Sequence, residues 1–296
     1  MIPFTGSCVA LVTPFTEDGK IDYEALETLI ERQISQGIDA ISVCGTTGEA
    51  STLKNDEHVS VVKFTMEKTA GRVPVIAGAG SNDTDQAIKM SLALEDLGVD
   101  GLLLVTPYYN RCTQSGLITH YLAIADETET PIILYSVPSR TGVNIDSETV
   151  AELSGHPRII GIKEASGNLS QIVDMAPYIS SDFAIYSGND DVIVPILSLG
   201  GSGTISTIAN LIPADTHRMI EKYMRGDTEG AARLQIGMKP LIDAMFCEVN
   251  PIPVKAALAS LGLIKQSYRL PLTPPSESSM DRIRQSMKEY GLVPTT

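Results

Sequence analysis

Cysteine and histidine are scarce and scattered in this sequence. The four cysteines, Cys8, Cys44, Cys112 and Cys247, form no C-x-x-C pair, and in a chain of 296 residues that spacing argues against a disulfide framework and against a zinc site. They read as reduced thiols, most of them buried. The four histidines, His58, His120, His156 and His217, show neither H-x-H nor H-E-x-x-H spacing, so no ligand cluster for a catalytic metal is visible. Chemistry here is expected to run without one. No G-x-x-x-x-G-K-[ST] or G-x-G-x-x-G fingerprint is present to cradle a nucleotide, and the glycine run LGGSGTIS at 199–206 is too unspecific to assign to phosphate. Positive charge is in short supply as well: 22 Lys and Arg stand against 36 Asp and Glu, a formal net charge of -14. That balance repels nucleic acid and anionic lipid, and neither is expected as a partner. No apolar run approaches the roughly 18 residues of a membrane span. The opening MIPFTGSCVALVTPF lacks the basic flank of a signal peptide. A soluble, cytoplasmic protein is the expectation.

What the sequence does contain is a repeated unit. Eight short apolar runs recur, CVALVTPF, AISVCG, PVIAGAG, GLLLVTPYY, PIILYSVP, IIGIKEAS, FAIYSGND and GTISTIAN. They are continuous, not alternating, as parallel strands buried on both faces are. Helical stretches separate them, such as DYEALETLIERQISQG, with Leu26, Leu29, Ile30 and Ile34 on one stripe and Gly37 placed to stop the helix. Eight strand-helix units predict an α/β fold, a closed (β/α)8 barrel. After Asn210 only helical patterns follow, at about 214–225, 228–246, 253–261 and 279–290. The expected organisation is therefore a barrel at 1–212 with a C-terminal helical region at 213–296 packed on it. The segment RLPLTPPSESS should be its least regular part.

Active sites in such barrels lie at the C-terminal ends of the strands, so polar residues there carry functional weight. Strand 2 ends in GTTGE (45–49), strand 4 in TPYYN (106–110), strand 5 in YSVPSRTG (135–142), strand 6 in Lys163 and Glu164, and strand 7 in SGNDD. Lys163 closes an apolar run, where a cation needs a reason. It is either an ordinary strand end reaching water or an amine held where it can attack a carbonyl. Tyr135 precedes it by 28 residues, about one strand-helix unit, which sets the two at matching heights on neighbouring strands. A lysine so placed suits condensation with a 2-oxo acid to a Schiff base, whose imine acts as an electron sink, and a phenol relayed by hydroxyls moves the protons. Thr46, Thr47 and Tyr109 are hydroxyls at strand ends. The threonines could equally cap a turn, and Tyr109 could be an interface aromatic. Arg140 is either a fork for a substrate carboxylate or half of a surface ion pair.

GTTGE together with YSVPSRTG, GIKEASGN, NPIPVKAALASLGL and RLPL resembles the 4-hydroxy-tetrahydrodipicolinate (dihydrodipicolinate) synthase family, within the pyruvate-dependent class I aldolase and lyase superfamily. The resemblance spans nearly the whole chain. It implies a lyase of lysine and diaminopimelate biosynthesis that condenses pyruvate with L-aspartate 4-semialdehyde, without metal or organic cofactor, as a homotetramer built from two dimers. It also implies Lys163 as Schiff-base lysine, Tyr135 as proton donor and acceptor, and Thr46 and Tyr109 completing the relay, Tyr109 from a neighbouring subunit. Thr47, Gly188 and Ile205 would surround the pyruvate carboxylate, and Arg140 would hold the carboxylate of the aldehyde. Ser136 departs from the family's usual asparagine, which should remove an amide near the site. Ala50, Ser51, Asn55, His58, Asn82, Gln86 and Tyr108 correspond to a site at which many relatives bind lysine as an inhibitor, and the carboxylate common in sensitive relatives is replaced here by Gln86. The alternatives are a lyase for N-acetylneuraminate or a 2-keto-3-deoxy sugar acid, against which Arg140 argues, and a non-catalytic relative that binds an oxo acid.

Overall fold

The computed structural model describes residues 2–292. Eight strands, β1 (Gly6–Ala10), β2 (Ala40–Val43), β3 (Val75–Gly78), β4 (Gly101–Val105), β5 (Ile132–Ser136), β6 (Ile159–Glu164), β7 (Ala184–Ser187) and β8 (Gly203–Ser206), are hydrogen-bonded in chain order and close into a barrel. Helices α1 (Tyr23–Ser35), α2 (Asn55–Thr69), α3 (Thr84–Glu95), α4 (Gln114–Glu127), α5 (Pro138–Thr141), α6 (Ser147–Leu153), α7 (Leu169–Met175) and α8 (Ile193–Ser198) lie between the strands. Four more follow, α9 (Pro213–Met224), α10 (Thr228–Met245), α11 (Ile252–Ser260) and α12 (Glu277–Tyr290). This is the expected (β/α)8 barrel with a C-terminal helical extension. The strands read as unbroken apolar runs because both faces are covered: β1, β2, β5 and β6 are buried at every residue.

Helix α1 illustrates how local sequence sets the elements. Asp22 accepts from the backbone N–H of Ala25 at 3.0 Å, capping the helix start. Leu26, Leu29 and Ile30 form the expected buried stripe. Ile34 is only half-buried; Gln33 goes inward, its amide donating to the Ala209 carbonyl at 2.8 Å. Gly37, at φ 83°, takes the left-handed turn that ends the helix.

By internal contact the chain separates into two compact units. One comprises Met1–Gly6 and Pro74–Ile205. Its core is formed by β-strand residues such as Leu102, Ile133, Leu134 and Ile162, and by Tyr186, whose ring stacks on Phe4 at 4.4 Å and whose hydroxyl donates to the Phe4 carbonyl at 2.8 Å. The other comprises Ser7–Val73 and Ser206–Thr296 and groups β1, β2, α1 and α2 with α9–α12 around Ile41, Val61, Met219, Leu241, Leu258 and Met287. Cys8 and Cys44 are buried and Cys112 and Cys247 half-buried, all four as free thiols. Among the described residues no helix is long and apolar enough to cross a membrane.

Candidate active site

In the first unit Lys163 and Tyr135 meet. Each is the penultimate residue of its strand, and β5 and β6 pair in a register that sets Tyr135 directly beside Lys163. Side chains of one strand alternate between faces, so partners in register share a face. The Lys163 Nζ stands 4.4 Å from the centre of the Tyr135 ring. Both are nearly dry, at 6% and 7% exposed. Among the described residues Lys163 forms no ion pair. Gly188 closes against it: a Cβ there would come within 3.2 Å of Lys163 Cε and 2.7 Å of the Ala165 Cβ. Only glycine fits. Ile205 is fully buried on β8.

The opposite face of the same two strands carries a polar network. Ser136 accepts from the Ile145 N–H at 3.2 Å and donates to Asn144 Oδ1 at 3.3 Å. The Asn144 amide donates to Gln171 Oε1 at 2.7 Å, and the Gln171 amide donates to Glu164 Oε2 at 3.4 Å. Glu164, 1% exposed, has its carboxyl pushed above the ordinary range by burial, against which the Ser166 backbone N–H at 2.6 Å pulls downward. Ser136, in place of the family's usual asparagine, thus carries a hydroxyl that bonds to Asn144 and Ile145. Period-two alternation turns residue 136 away from the lysine, and there Asn144 supplies an amide.

Two loops of this unit display their functional candidates outward. Arg140 is exposed on the single turn α5, which begins at Pro138 and ends at Gly142, φ 71°; a Cβ at Gly142 would come within 2.9 Å of Arg111 Cδ. Tyr109, after β4, is 94% exposed and sits at φ 71°, a left-handed conformation rare for an aromatic. Its neighbour Tyr108 is 40% exposed. Asn110 ties the loop down by donating to the Asn82 carbonyl at 2.8 Å.

The hydroxyl loop at 45–49 belongs to the second unit. It is bracketed by two residues forced into the left-handed region, Cys44 and Glu49, both at φ 54°, each a strain of order 1–3 kcal/mol that the surroundings must hold. Thr47 is buried and Thr46 half-buried. Thr47 Oγ1 accepts from the Asn250 amide at 2.9 Å and lies 3.4 Å from Thr207 Oγ1. Glu49 is met by Lys255, Nζ to Oε1 2.5 Å, with side chains 1% and 0% exposed. Burial pulls the Lys255 ammonium below its ordinary value while Glu49 pulls it back up. The Lys255 Nζ also lies 4.3 Å from the Phe15 ring centre, and the Arg269 guanidinium 4.5 Å from the same ring. Arg269 grips both oxygens of Glu57 at 2.6 and 2.8 Å and donates to the carbonyls of Gly19 and Thr52. The segment expected to be least regular, RLPLTPPSESS at 269–279, has no helix or strand at 269–276 and enters α12 at Glu277, and Arg269 anchors it.

Sequence reasoning missed Asn250, Thr207 and Lys255. A signal existed for Lys255, the lone charge in the apolar stretch PIPVKAALASLGL. The positions corresponding to a lysine-binding site fall in both units. Ala50, Ser51, Asn55 and His58 lie at the start of α2 and just before it, His58 buried and Asn55 exposed; Asn82, Gln86 and Tyr108 lie around the N-terminus of α3 and the loop after β4, Gln86 exposed.

Eight strand-helix units closed into a barrel, with a buried lysine beside a phenol ring at the strand ends, define the class as a (β/α)8 lyase. A sequence model of the Dihydrodipicolinate synthetase family matches residues 3–290, and the chain belongs to that family. It is 50% identical over 289 residues to the 4-hydroxy-tetrahydrodipicolinate synthase of Caldicellulosiruptor saccharolyticus, covering 98% of each chain. Among solved structures, it superposes on the chloride-inhibited dihydrodipicolinate synthase of Acinetobacter baumannii complexed with pyruvate with a TM-score of 0.96 at 43% identity, covering 98% of this chain and 99% of that one. The enzyme of Cyanidioschyzon merolae with lysine bound gives 0.96 at 41% identity, covering 99% and 100%.

Proposed function

We propose that this enzyme condenses pyruvate with L-aspartate 4-semialdehyde to 4-hydroxy-tetrahydrodipicolinate, in diaminopimelate and lysine biosynthesis. The observation that carries the reading is the buried Lys163, which forms no ion pair among the described residues, beside the Tyr135 ring. Its amine attacks C2 of pyruvate, and loss of water leaves an imine that draws electrons from C3. A proton leaves C3, and the enamine adds to the aldehyde carbon, whose oxygen takes up a proton. The amine of the semialdehyde then displaces Lys163 and closes the ring. Tyr135 shuttles the protons, with Thr46 and Tyr109 as further hydroxyls of the relay. Thr47, Gly188 and Ile205 surround the pyruvate carboxylate; the small Gly188 leaves room against the lysine chain. Arg140, exposed on its own turn, takes the carboxylate of the semialdehyde by a charge-assisted fork.

An aromatic 94% exposed and held in a left-handed conformation is built to be covered, and in this reading Tyr109 is donated to a second copy within a homotetramer, a dimer of dimers. The enzyme works in the cytoplasm. It uses neither metal nor organic cofactor, and nucleic acid and membranes are not partners. Arg140 disfavours sugar-acid substrates, which offer hydroxyls at that end. Borohydride reduction in the presence of pyruvate, followed by peptide mass spectrometry, tests the reading: a reduced pyruvate adduct is expected on Lys163. Its absence, or its appearance on another lysine, overturns the mechanism.

A further inference from the structure

We propose that Lys255 and Glu49 are positioning residues, the buried ion pair between them fixing the left-handed turn from which Thr46 and Thr47 are presented. This rests on the roles proposed above for those two hydroxyls. The loop at 45–49 has little regular structure to hold it. Side-chain bonds do so instead, the three shortest among the described residues being Thr13 Oγ1 to the Gly48 carbonyl at 2.7 Å, the Asn250 amide to Thr47 Oγ1 at 2.9 Å, and Lys255 Nζ to Glu49 Oε1 at 2.5 Å. Two of the three come from one short segment. Asn250 stands two residues before the start of α11, and Lys255 in its first turn, its own N–H bonded to the Pro251 carbonyl at 3.0 Å. The start of α11 is thus a two-pronged clamp on Thr47 and, two residues on, Glu49.

The energetics indicate why the clamp is charged. A fully buried ion pair adds little stability over an apolar pair of equal volume. What it adds is a directional bond between fixed atoms. Glu49 needs one, because its backbone sits at φ 54°, where a non-glycine residue stays only if its surroundings over-determine it. Removing the bond lets the turn relax, and the hydroxyl two residues earlier moves with it. The lysine end is fixed in turn by the Phe15 ring at 4.3 Å and the Tyr268 ring at 5.3 Å. Tyr268 is held by donating to the Ile252 carbonyl, also on α11, at 3.1 Å.

Three variants test this, Glu49→Gln, Lys255→Met and the two combined. The combined variant keeps the volume and leaves no unpaired charge, so it is expected to fold. In it and in whichever single variants fold, kcat should fall about 10- to 100-fold, the loss typical of a group misplaced by about 1 Å. The KM for pyruvate should rise while that for the semialdehyde stays within about twofold. A purely structural role gives another pattern, a lower active fraction with both KM values unchanged. That pattern, wild-type kcat in any folded variant, or failure of all three to fold would overturn the inference. The underlying reading is judged separately on the wild-type protein. Failure to trap pyruvate on Lys163 there refutes the reading, whereas normal variants of an active wild type refute only the positioning role.

Discussion

Replacing Tyr135 with Phe removes one hydroxyl and little else, which makes it a sharp test of the proton relay. The ring whose centre lies 4.4 Å from Lys163 Nζ is kept. So is its burial, since Tyr135 is only 7% exposed. The cost to stability is then confined to the hydroxyl's own hydrogen bonding, about 1 kcal/mol, a shift of roughly 2–4 °C in Tm for a large domain. The cost to the reaction is of a different size. A positioned general acid-base contributes roughly 10²- to 10⁴-fold, about 2.7–5.4 kcal/mol of barrier at 1.36 kcal/mol per tenfold. Turnover with pyruvate and aspartate semialdehyde should fall by two to four orders of magnitude while the melting curve barely moves. The borohydride-trapped adduct at Lys163 should still form, only more slowly, because the nucleophile is intact. A folded Tyr135→Phe enzyme with kcat within about threefold of wild type would refute the relay. So would a loss of activity that merely follows a loss of folded protein.

Arg140→Ala should raise the KM for the semialdehyde by roughly 10- to 100-fold, the value of a charge-assisted pair, while the pyruvate adduct forms as before; collapse of the adduct would make Arg140 structural. Glu57 gives a pH prediction: Arg269 holds its carboxyl down at about 2, below the ordinary 4.5, so it stabilises the fold fully above about pH 4.5 and less and less as pH falls toward 2. With Glu57 and Arg269 at 25% and 17% exposed, solvent screening keeps this to about 1–2 kcal/mol, and Glu57→Gln should destabilise the protein at pH 7 but not at pH 2 in denaturant titrations; an equal loss at both refutes the pairing. Lysine should inhibit weakly or not at all, because exposed Gln86 offers a neutral amide where sensitive relatives commonly offer a carboxylate, and coupling of about 1–3 kcal/mol is easily lost. Inhibition at about 0.1 mM, roughly 5.5 kcal/mol of binding, would show that Asn82, His58 and Tyr108 suffice.

How much of this was legible depended on the distance over which the physics acts. The barrel is written in short-range signals: eight apolar runs, each buried at both faces, and helices stopped by residues such as Gly37 at φ 83°. The level pairing of Tyr135 with Lys163 followed from a spacing of one strand-helix unit, because parallel neighbours in a barrel keep nearly constant height. The same period-two logic, applied one residue further, turns Ser136 to the opposite face.

Lys255 marks where such reading ends. It posed the same question as Lys163, a lone cation in an apolar stretch, and it is the more deeply buried of the two, at 0% against 6% exposed. The difference lies in the counter-ion. Lys255 has Glu49, 206 residues away in the chain, and no local pattern announces a pairing over that distance. Lys163 forms no ion pair among the described residues. Composition and periodicity treat the two lysines alike, because each is a cation set in an apolar run. Only the tertiary structure separates the lysine that meets Glu49 from the lysine set beside the ring of Tyr135.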